Sequence, residues 1–120
     1  MKSILVVEDD TDIRESLAEF LKDEGFDVVG AENGKVALEK LAGTADLPGL
    51  ILLDIMMPVM DGLTFRRIQL SDPKTSAIPV AVTTAGSEIE SILKEVRVAD
   101  FLQKPVDLGR VLEVVTKYCL

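Results

Sequence analysis

Histidine is absent from this chain of 120 residues, and its only cysteine is Cys119. Without histidine, the chain cannot form a histidine-based catalytic triad, a zinc–histidine site or a phosphohistidine carrier. A single cysteine excludes an internal disulfide and a cysteine-based zinc site, and it fits a reducing cytoplasm, where we expect the protein to act. No apolar run is long enough to span a membrane, and the first residues lead directly into a predicted strand, so we expect no signal peptide.

Basic residues are scarce, with 13 lysines and arginines against 21 acidic residues. The resulting net charge of -8 argues against nucleic-acid binding, because neutralising phosphates requires clustered lysine and arginine. The length fits one domain with a proper core, and no linker, repeat or low-complexity segment divides it. We therefore predict one domain over residues 1–120, with no direct contact to nucleic acid or membrane.

Strand and helix patterns alternate along the whole chain. Apolar runs predict five strands, over residues 3–8, 26–31, 50–54, 78–83 and 99–103. Five helices are predicted between and after them: one capped by Thr11 and ended by Gly25, one capped by Asn33 and ended by Gly43, one from Asp61-Gly62 to about Leu70, one from Ser87 to about Val96, and one capped by Asp107. This alternation predicts an α/β fold with a parallel sheet covered on both faces. We expect the flavodoxin-like, doubly wound strand order 2-1-3-4-5, in which strands 1 and 3 are neighbours.

Carboxylates follow two of the predicted buried strands, at the edge where open α/β sheets bind ligands. Asp54 ends the run Leu50–Leu53, while Glu8 and Asp9 follow the run Ile4–Val7. Carboxylates so close together stay ionised only if a cation neutralises them. Oxygen ligands without cysteine or histidine select Mg²⁺ or Mn²⁺ over zinc or copper. An aspartate can also attack phosphorus to give an aspartyl phosphate, so Asp54 is a candidate nucleophile.

An acidic residue after a strand more often only caps the next helix, and we assign Asp10 to that role. Asp54 differs because Met56-Met57-Pro58 follows it rather than a helix start. Two further strand ends supply a hydroxyl, at Thr84, and an ammonium, at Lys104. Each would be an ordinary turn or surface residue if it stood alone. Together with the acids they provide what a phosphoryl group needs around its remaining oxygens.

These motifs resemble the receiver domain of two-component response regulators over essentially the whole chain. The matching segments are Val7-Glu8-Asp9-Asp10, Leu53-Asp54-Ile55-Met56-Met57-Pro58 with Asp61-Gly62, Thr84-Ala85 and Lys104-Pro105. The resemblance implies that Asp54 accepts a phosphoryl group from a sensor histidine kinase or a phosphotransfer protein. It implies that Asp9, Asp54 and the Met56 carbonyl bind Mg²⁺, and that Glu8 reaches the ion through water. It also implies a Lys104–Pro105 peptide that is commonly cis.

The same resemblance implies how the signal leaves the site. Thr84 and Lys104 would contact the phosphoryl group, and Thr84 and Phe101 would act as the switch pair. The surface of the fourth helix, fifth strand and fifth helix would then alter its binding to a downstream protein or to a second copy. We expect a switch with slow hydrolysis of its own aspartyl phosphate, and no turnover of an external substrate.

One segment departs from the family pattern. Arg97-Val98 stands where the family commonly has Gly-Ala, so the glycine that would end the fourth helix in the left-handed conformation is missing. We therefore expect an unusual start or end of that helix.

Three other functions fit part of the pattern. A pseudo-receiver would keep the fold and ignore phosphate, but all five expected site positions are occupied. A phosphatase of the haloacid dehalogenase type would carry a second acid two residues after the nucleophile, where this chain has Met56. A flavodoxin-like nucleotide binder would need a glycine-rich loop after the first strand, where this chain has acids.

Overall fold

One parallel sheet organises the protein. The structure, a computed structural model, describes residues 2–57, 59–85 and 97–120. The strands lie in the order β2-β1-β3-β4-β5, as predicted. They are β1 (Ile4–Val7), β2 (Val28–Ala31), β3 (Leu50–Asp54), β4 (Val80–Thr84) and β5 (Asp100–Gln103). Every neighbouring pair is parallel, so the carboxyl ends of all five strands meet at one edge.

The described residues form four helices around this sheet. They are α1 (Thr11–Asp23), α2 (Gly34–Ala42), α3 (Gly62–Ser71) and α4 (Leu108–Cys119). The helix predicted from Ser87 to about Val96 lies outside the described residues, so α4 is the helix that we predicted as the fifth. No helix in the described ranges combines the length and the apolar character needed to cross a bilayer.

The three central strands are buried at every position, as expected for a parallel sheet covered on both faces. Because side chains alternate along a strand, the core divides into two clusters. On one face, α2 and α3 pack through Ala37, Leu41 and Phe65. On the other face, α1 and α4 pack through residues that include Leu17, Leu21, Val111 and Val115.

The helices begin at short polar residues that accept hydrogen bonds from free backbone N–H groups. Asp10 Oδ1 accepts from the N–H groups of Asp12 and Ile13, which confirms its capping role. Our prediction of Thr11 as this cap was wrong, because Thr11 is already the first helical residue and Asp10 satisfies the free N–H groups. The other three caps are Asn33, Asp61 and Asp107.

Helix α1 ends at Gly25 through a Schellman motif. Gly25 has φ +95°, a conformation that glycine adopts without steric cost. Its N–H donates to the Lys22 carbonyl, and the Phe26 N–H donates to the Leu21 carbonyl. Phe26 therefore belongs to this turn, and β2 begins two residues later than predicted.

Among the described residues, Val59 and Arg97 also adopt a positive φ although neither is glycine. Val59, in the connection from β3 to α3, has φ +70°, and Arg97, shortly before β5, has φ +50°. Arg97 thus takes the left-handed conformation at the place where the resemblance led us to expect glycine. The end of the predicted fourth helix lies outside the described residues, so our expectation of an unusual start or end of that helix stays a prediction.

Candidate functional site

Three carboxylates meet at the carboxyl edge of the sheet. Asp54 is the last residue of β3, and Glu8 and Asp9 directly follow β1. The register pairs Val7 with Leu53, which brings these two strand ends side by side. One carboxylate oxygen from each of Glu8, Asp9 and Asp54 lies within 4.8 Å of the other two. The acidic cluster expected from the sequence is therefore present in the fold.

The three acids differ in burial, and this difference affects their protonation. Glu8 and Asp54 are each only 3% exposed, whereas Asp9 is exposed. Burial, together with the nearby negative charge of Asp54, raises the pKa of Glu8 to about 7. A carboxyl group with this pKa holds its proton part of the time at neutral pH. A bound cation would favour the ionised form instead.

The two oxygens of Asp54 have different surroundings. Oδ1 accepts a hydrogen bond of 3.2 Å from the Met56 N–H. Oδ2 is buried and accepts no hydrogen bond from the described residues, although Lys104 Nζ lies 3.2 Å away. A buried polar oxygen in this position is costly unless a further partner occupies the site. The oxygen donors and this oxygen without a hydrogen bond fit a hard divalent cation such as Mg²⁺.

Lys104 supplies the positive charge of the site. It directly follows β5, and its Nζ lies 3.3 Å from Glu8 Oε1 and 3.2 Å from Asp54 Oδ2. Burial alone would lower the pKa of Lys104, but the negative charges of Asp54 and Glu8 and the hydrogen bond to Glu8 raise it above the usual value. Lys104 therefore stays an ammonium at neutral pH. The Lys104–Pro105 peptide is cis, as the resemblance implied.

Thr84 and Phe101 lie on the neighbouring strand pair. Thr84, the last residue of β4, is buried, and its carbonyl accepts a hydrogen bond of 2.9 Å from the Lys104 N–H. Phe101 pairs with Val82 across β4 and β5 and packs, half-buried, against the core on the α2–α3 face. The sheet thus links the proposed switch pair to Lys104 through the backbone. The role of the Met56 carbonyl as a metal ligand stays a prediction.

Sequence reasoning missed Arg14. Its Nη1 donates a hydrogen bond of 2.7 Å to the Glu8 carbonyl, so it holds the loop that carries the acids. Gly30 on β2 leaves room for this side chain, because a Cβ there would lie 3.3 Å from Arg14 Cδ. Helical side chains point toward the N-terminus of their helix, and Arg14 follows the Asp10 cap by one turn. That spacing indicates that Arg14 can reach the loop before α1, but it does not identify the acceptor.

The fold and the site define a class of doubly wound α/β protein with a cluster of carboxylates at the carboxyl edge of the sheet and a lysine beside it. The family model described as response regulator receiver domain matches residues 4–116. The chain belongs to this family.

Three relatives illustrate the match. The chain is 39% identical over 119 residues to an uncharacterized 14.6 kDa protein from the sodA1 3′ region of Leptolyngbya boryana, covering 98% of this chain and 89% of that one. It is 41% identical over 112 residues to the response regulator PleD of Caulobacter vibrioides, covering 89% of this chain but only 24% of PleD. A solved response regulator receiver protein from Pseudomonas putida superposes with a TM-score of 0.88 at 34% identity, covering 97% of this chain and 96% of that one.

Proposed function

We propose that the chain is a phosphorylation-controlled switch of a two-component system, in which Asp54 is the sole phosphoacceptor. The observation that carries this proposal is the state of Asp54 Oδ2. This oxygen is buried, lies 3.2 Å from an ammonium and accepts no hydrogen bond from the described residues. A carboxylate held in this way keeps an oxygen available for attack on phosphorus.

Glu8, Asp9, Asp54 and the Met56 carbonyl would hold Mg²⁺, for which Mn²⁺ can substitute, with Glu8 acting through water. When bound, the ion supplies positive charge that offsets the crowded carboxylates and the transferring phosphoryl oxygens. Asp9 is exposed and offers the ion an approach from solvent. Arg14 orients the loop that bears Glu8 and Asp9 through its hydrogen bond to the Glu8 carbonyl.

In the transfer step, an Asp54 oxygen forms a bond to phosphorus while the bond from phosphorus to the donor's histidine nitrogen breaks. That nitrogen keeps the bonding electron pair. Lys104 and Thr84 contact the phosphoryl oxygens, as an ammonium and a hydroxyl can. Later hydrolysis by water returns Asp54 to its carboxylate form and releases phosphate, so the chain promotes its own reset but does not turn over an external substrate.

The donor is a sensor histidine kinase or a phosphotransfer protein acting in the cytoplasm. An apolar groove beside the site offers this donor a docking surface between α1 and the connection from β5 to α4. Lys104 and Pro105 line the groove, and so do Ile13 and Leu108, which are exposed by 37% and 43%. Because Lys104 belongs both to this groove and to the ion pair with Asp54, a donor seated there would lie next to the phosphoacceptor.

The output is a change in protein binding. Residues 1–120 act as one receiver domain whose surface around β5, α4 and the predicted helix over residues 87–96 binds a downstream protein or a second copy. Thr84 and Phe101 pass the change from the site to this surface. The phosphoryl group can change the equilibrium between the two states of this surface only by as much as its interaction free energy differs between them.

Mass spectrometry of the intact protein tests the phosphoacceptor. The chain is incubated with a small-molecule phosphodonor and Mg²⁺, and we expect one phosphoryl adduct that disappears in Asp54→Asn. Asp46→Asn, which alters an exposed aspartate far from the edge, is the matched control and should keep the adduct. Lack of an adduct in the wild type, with a small donor and with a phosphorylated kinase, would favour the pseudo-receiver instead.

A further inference from the structure

A buried polar network connects α3 to the starts of β4 and β5, on the opposite edge of the sheet from the acids. Its side chains are Arg66, Gln69 and Thr75, which are 5%, 0% and 3% exposed. Buried polar groups are costly unless they are hydrogen-bonded, so a network of this kind constrains the backbone that satisfies it. None of these residues belongs to the phosphorylation site.

One half of the network holds the connection between α3 and β4. Gln69 Nε2 donates to the carbonyls of Thr75 and Ile78, at 2.9 and 3.0 Å. Thr75 Oγ1 donates in return to the Gln69 carbonyl, at 2.9 Å. These bonds are local in sequence and account for a well-defined turn before β4.

The other half reaches across the fold through Arg66. Its Nη1 donates to Gln69 Oε1 at 2.8 Å and to the Ile78 carbonyl at 3.3 Å. Its Nη2 donates to the carbonyl of Arg97, which lies 31 residues further along the chain. A planar guanidinium can serve acceptors in several directions at once, which a lysine ammonium on a flexible stem does less well. Arg66, on α3, therefore holds the segment that leads into β5.

The carbonyl that Arg66 holds belongs to a strained residue. Arg97 has φ +50°, which disfavours any residue with a Cβ. Two residues later, the Ala99 N–H donates to the Val80 carbonyl at 2.7 Å, and β5 begins at Asp100. Arg97 therefore lies two residues before the first backbone hydrogen bond that joins this segment to β4.

We propose that Arg66 is a positioning residue that stabilises the left-handed conformation of Arg97 and thereby sets the start of β5. This strand carries Phe101 and leads into Lys104, so the same contact sets the resting position of the switch. The consequence for signalling rests on the proposed function, whereas the positioning of β5 does not.

A double-mutant cycle tests the positioning role without metal or phosphodonor. Arg66→Met removes the donors but keeps an apolar stem, and we expect the unfolding equilibrium to shift by roughly tenfold or more toward the unfolded state. Arg97→Gly removes the strain that Arg66 offsets. The same Arg66→Met change should therefore cost several-fold less in the Arg97→Gly background. Arg67→Met, on the exposed side of α3, is the control and should show no such coupling.

Amide NMR signals give a readout that general destabilisation would not produce. In folded Arg66→Met, the signals of Ala99, Asp100 and Phe101 should move, and Arg97→Gly should return them toward their wild-type positions. If Arg66→Met does not fold, Arg66→Lys keeps the charge without the planar fork and should show the same pattern to a smaller extent. Equal destabilisation in both backgrounds, or unmoved signals from β5, would overturn the proposal.

Beryllofluoride with Mg²⁺ then separates this inference from the proposed function. We expect the shift of the Phe101 signal that this phosphoryl mimic induces to be smaller in Arg66→Met than in Arg67→Met. A wild type without any response would count against the switch and leave the cycle result standing. A full wild-type response in Arg66→Met would overturn the link between Arg66 and the switch.

Discussion

Lys104 and Asp54 form an ion pair of 3.2 Å across two strand ends that are not neighbours in the sheet. Only β4 separates β3 from β5, and both strands end at the same edge. Lys104 also lies 3.3 Å from Glu8, so one ammonium offsets the charge of two buried carboxylates. A cation or a phosphoryl group entering the site would therefore change the partners of Lys104, and this competition underlies the first prediction.

Lys104→Met should leave Asp54 able to accept a phosphoryl group. The phosphoryl group should then have much less effect on Thr84 and Phe101. The Lys104 side chain is 28% exposed and its charge is partly screened, so we expect Mg²⁺ affinity to rise by roughly three- to tenfold once this competing cation is gone. Lys35→Met, in an exposed part of α2, should leave the affinity unchanged. Titration with Mg²⁺ measures this change in affinity.

The weakened link between the site and the switch in Lys104→Met is measured from the NMR shifts that the phosphoryl mimic beryllofluoride induces. Signals around Thr84 and Phe101 should respond to beryllofluoride in the wild type and respond much less in the variant. A wild-type pattern of shifts in Lys104→Met would contradict the coupling role of Lys104.

Glu8 makes the stability of the metal-free protein depend on pH. Its pKa in the folded state is about 7, above the ordinary value of 4.5, so the folded state holds the proton more tightly than the unfolded state. The stabilising contribution is complete below about pH 4.5 and is lost as the pH rises through about 7. The chain has no histidine, so the side chain that usually titrates in this range is absent.

Denaturant unfolding at a series of pH values without metal measures this effect. The unfolding free energy should decline between about pH 5 and 7 in the wild type, and Glu8→Gln should flatten the decline. Binding of Mg²⁺ should show the opposite dependence on pH, because the ion binds the ionised carboxylate. The apparent affinity for Mg²⁺ should therefore increase over the same pH range. A Glu8→Gln profile that matches the wild type would show that another group is responsible.

The sequence predicts the fold and the acidic edge well because both depend on local patterns. Buried apolar runs identify β1, β3 and β4, and a polar residue stands at or directly after the end of each run. Strand starts are less predictable. Phe26 is apolar like its neighbours, yet it belongs to the Schellman motif after Gly25 and not to β2.

Contacts made by long side chains were beyond sequence reasoning. Arg14 and Arg66 both look like ordinary surface arginines on helices, but each donates to a carbonyl outside its own helix. Neither acceptor can be identified until the strands are placed. Gln69 is a similar case, because its complete burial depends on the turn that it holds in place.

Asp9 and Asp10 should have separate effects although they are adjacent. Asp9 shares the cluster with Glu8 and Asp54, whereas Asp10 caps α1. Asp9→Ala should weaken Mg²⁺ binding by at least roughly tenfold, because even residues that only support metal ligands have effects of this size. Asp10→Ala should cost about 1 kcal/mol of stability through loss of the cap. Mg²⁺ titration and denaturant unfolding of both variants measure these effects, and equal losses of affinity would contradict the assignment.

Val59 carries backbone strain within the connection that follows the phosphoacceptor. Its φ of +70° is unfavourable for a β-branched residue, and its side chain is 76% exposed, so little packing offsets the cost. Asparagine tolerates this conformation better, and Val59→Asn should raise the unfolding free energy by about 1 kcal/mol. Val59→Ile keeps the branched side chain and is the control that should give no gain. Denaturant unfolding of the three proteins measures the difference.

An equal result for asparagine and isoleucine would show that the strain is not stored at this residue. If phosphorylation of Asp54 slows in Val59→Asn while the fold is stabilised, the strain contributes to the reactivity of the site.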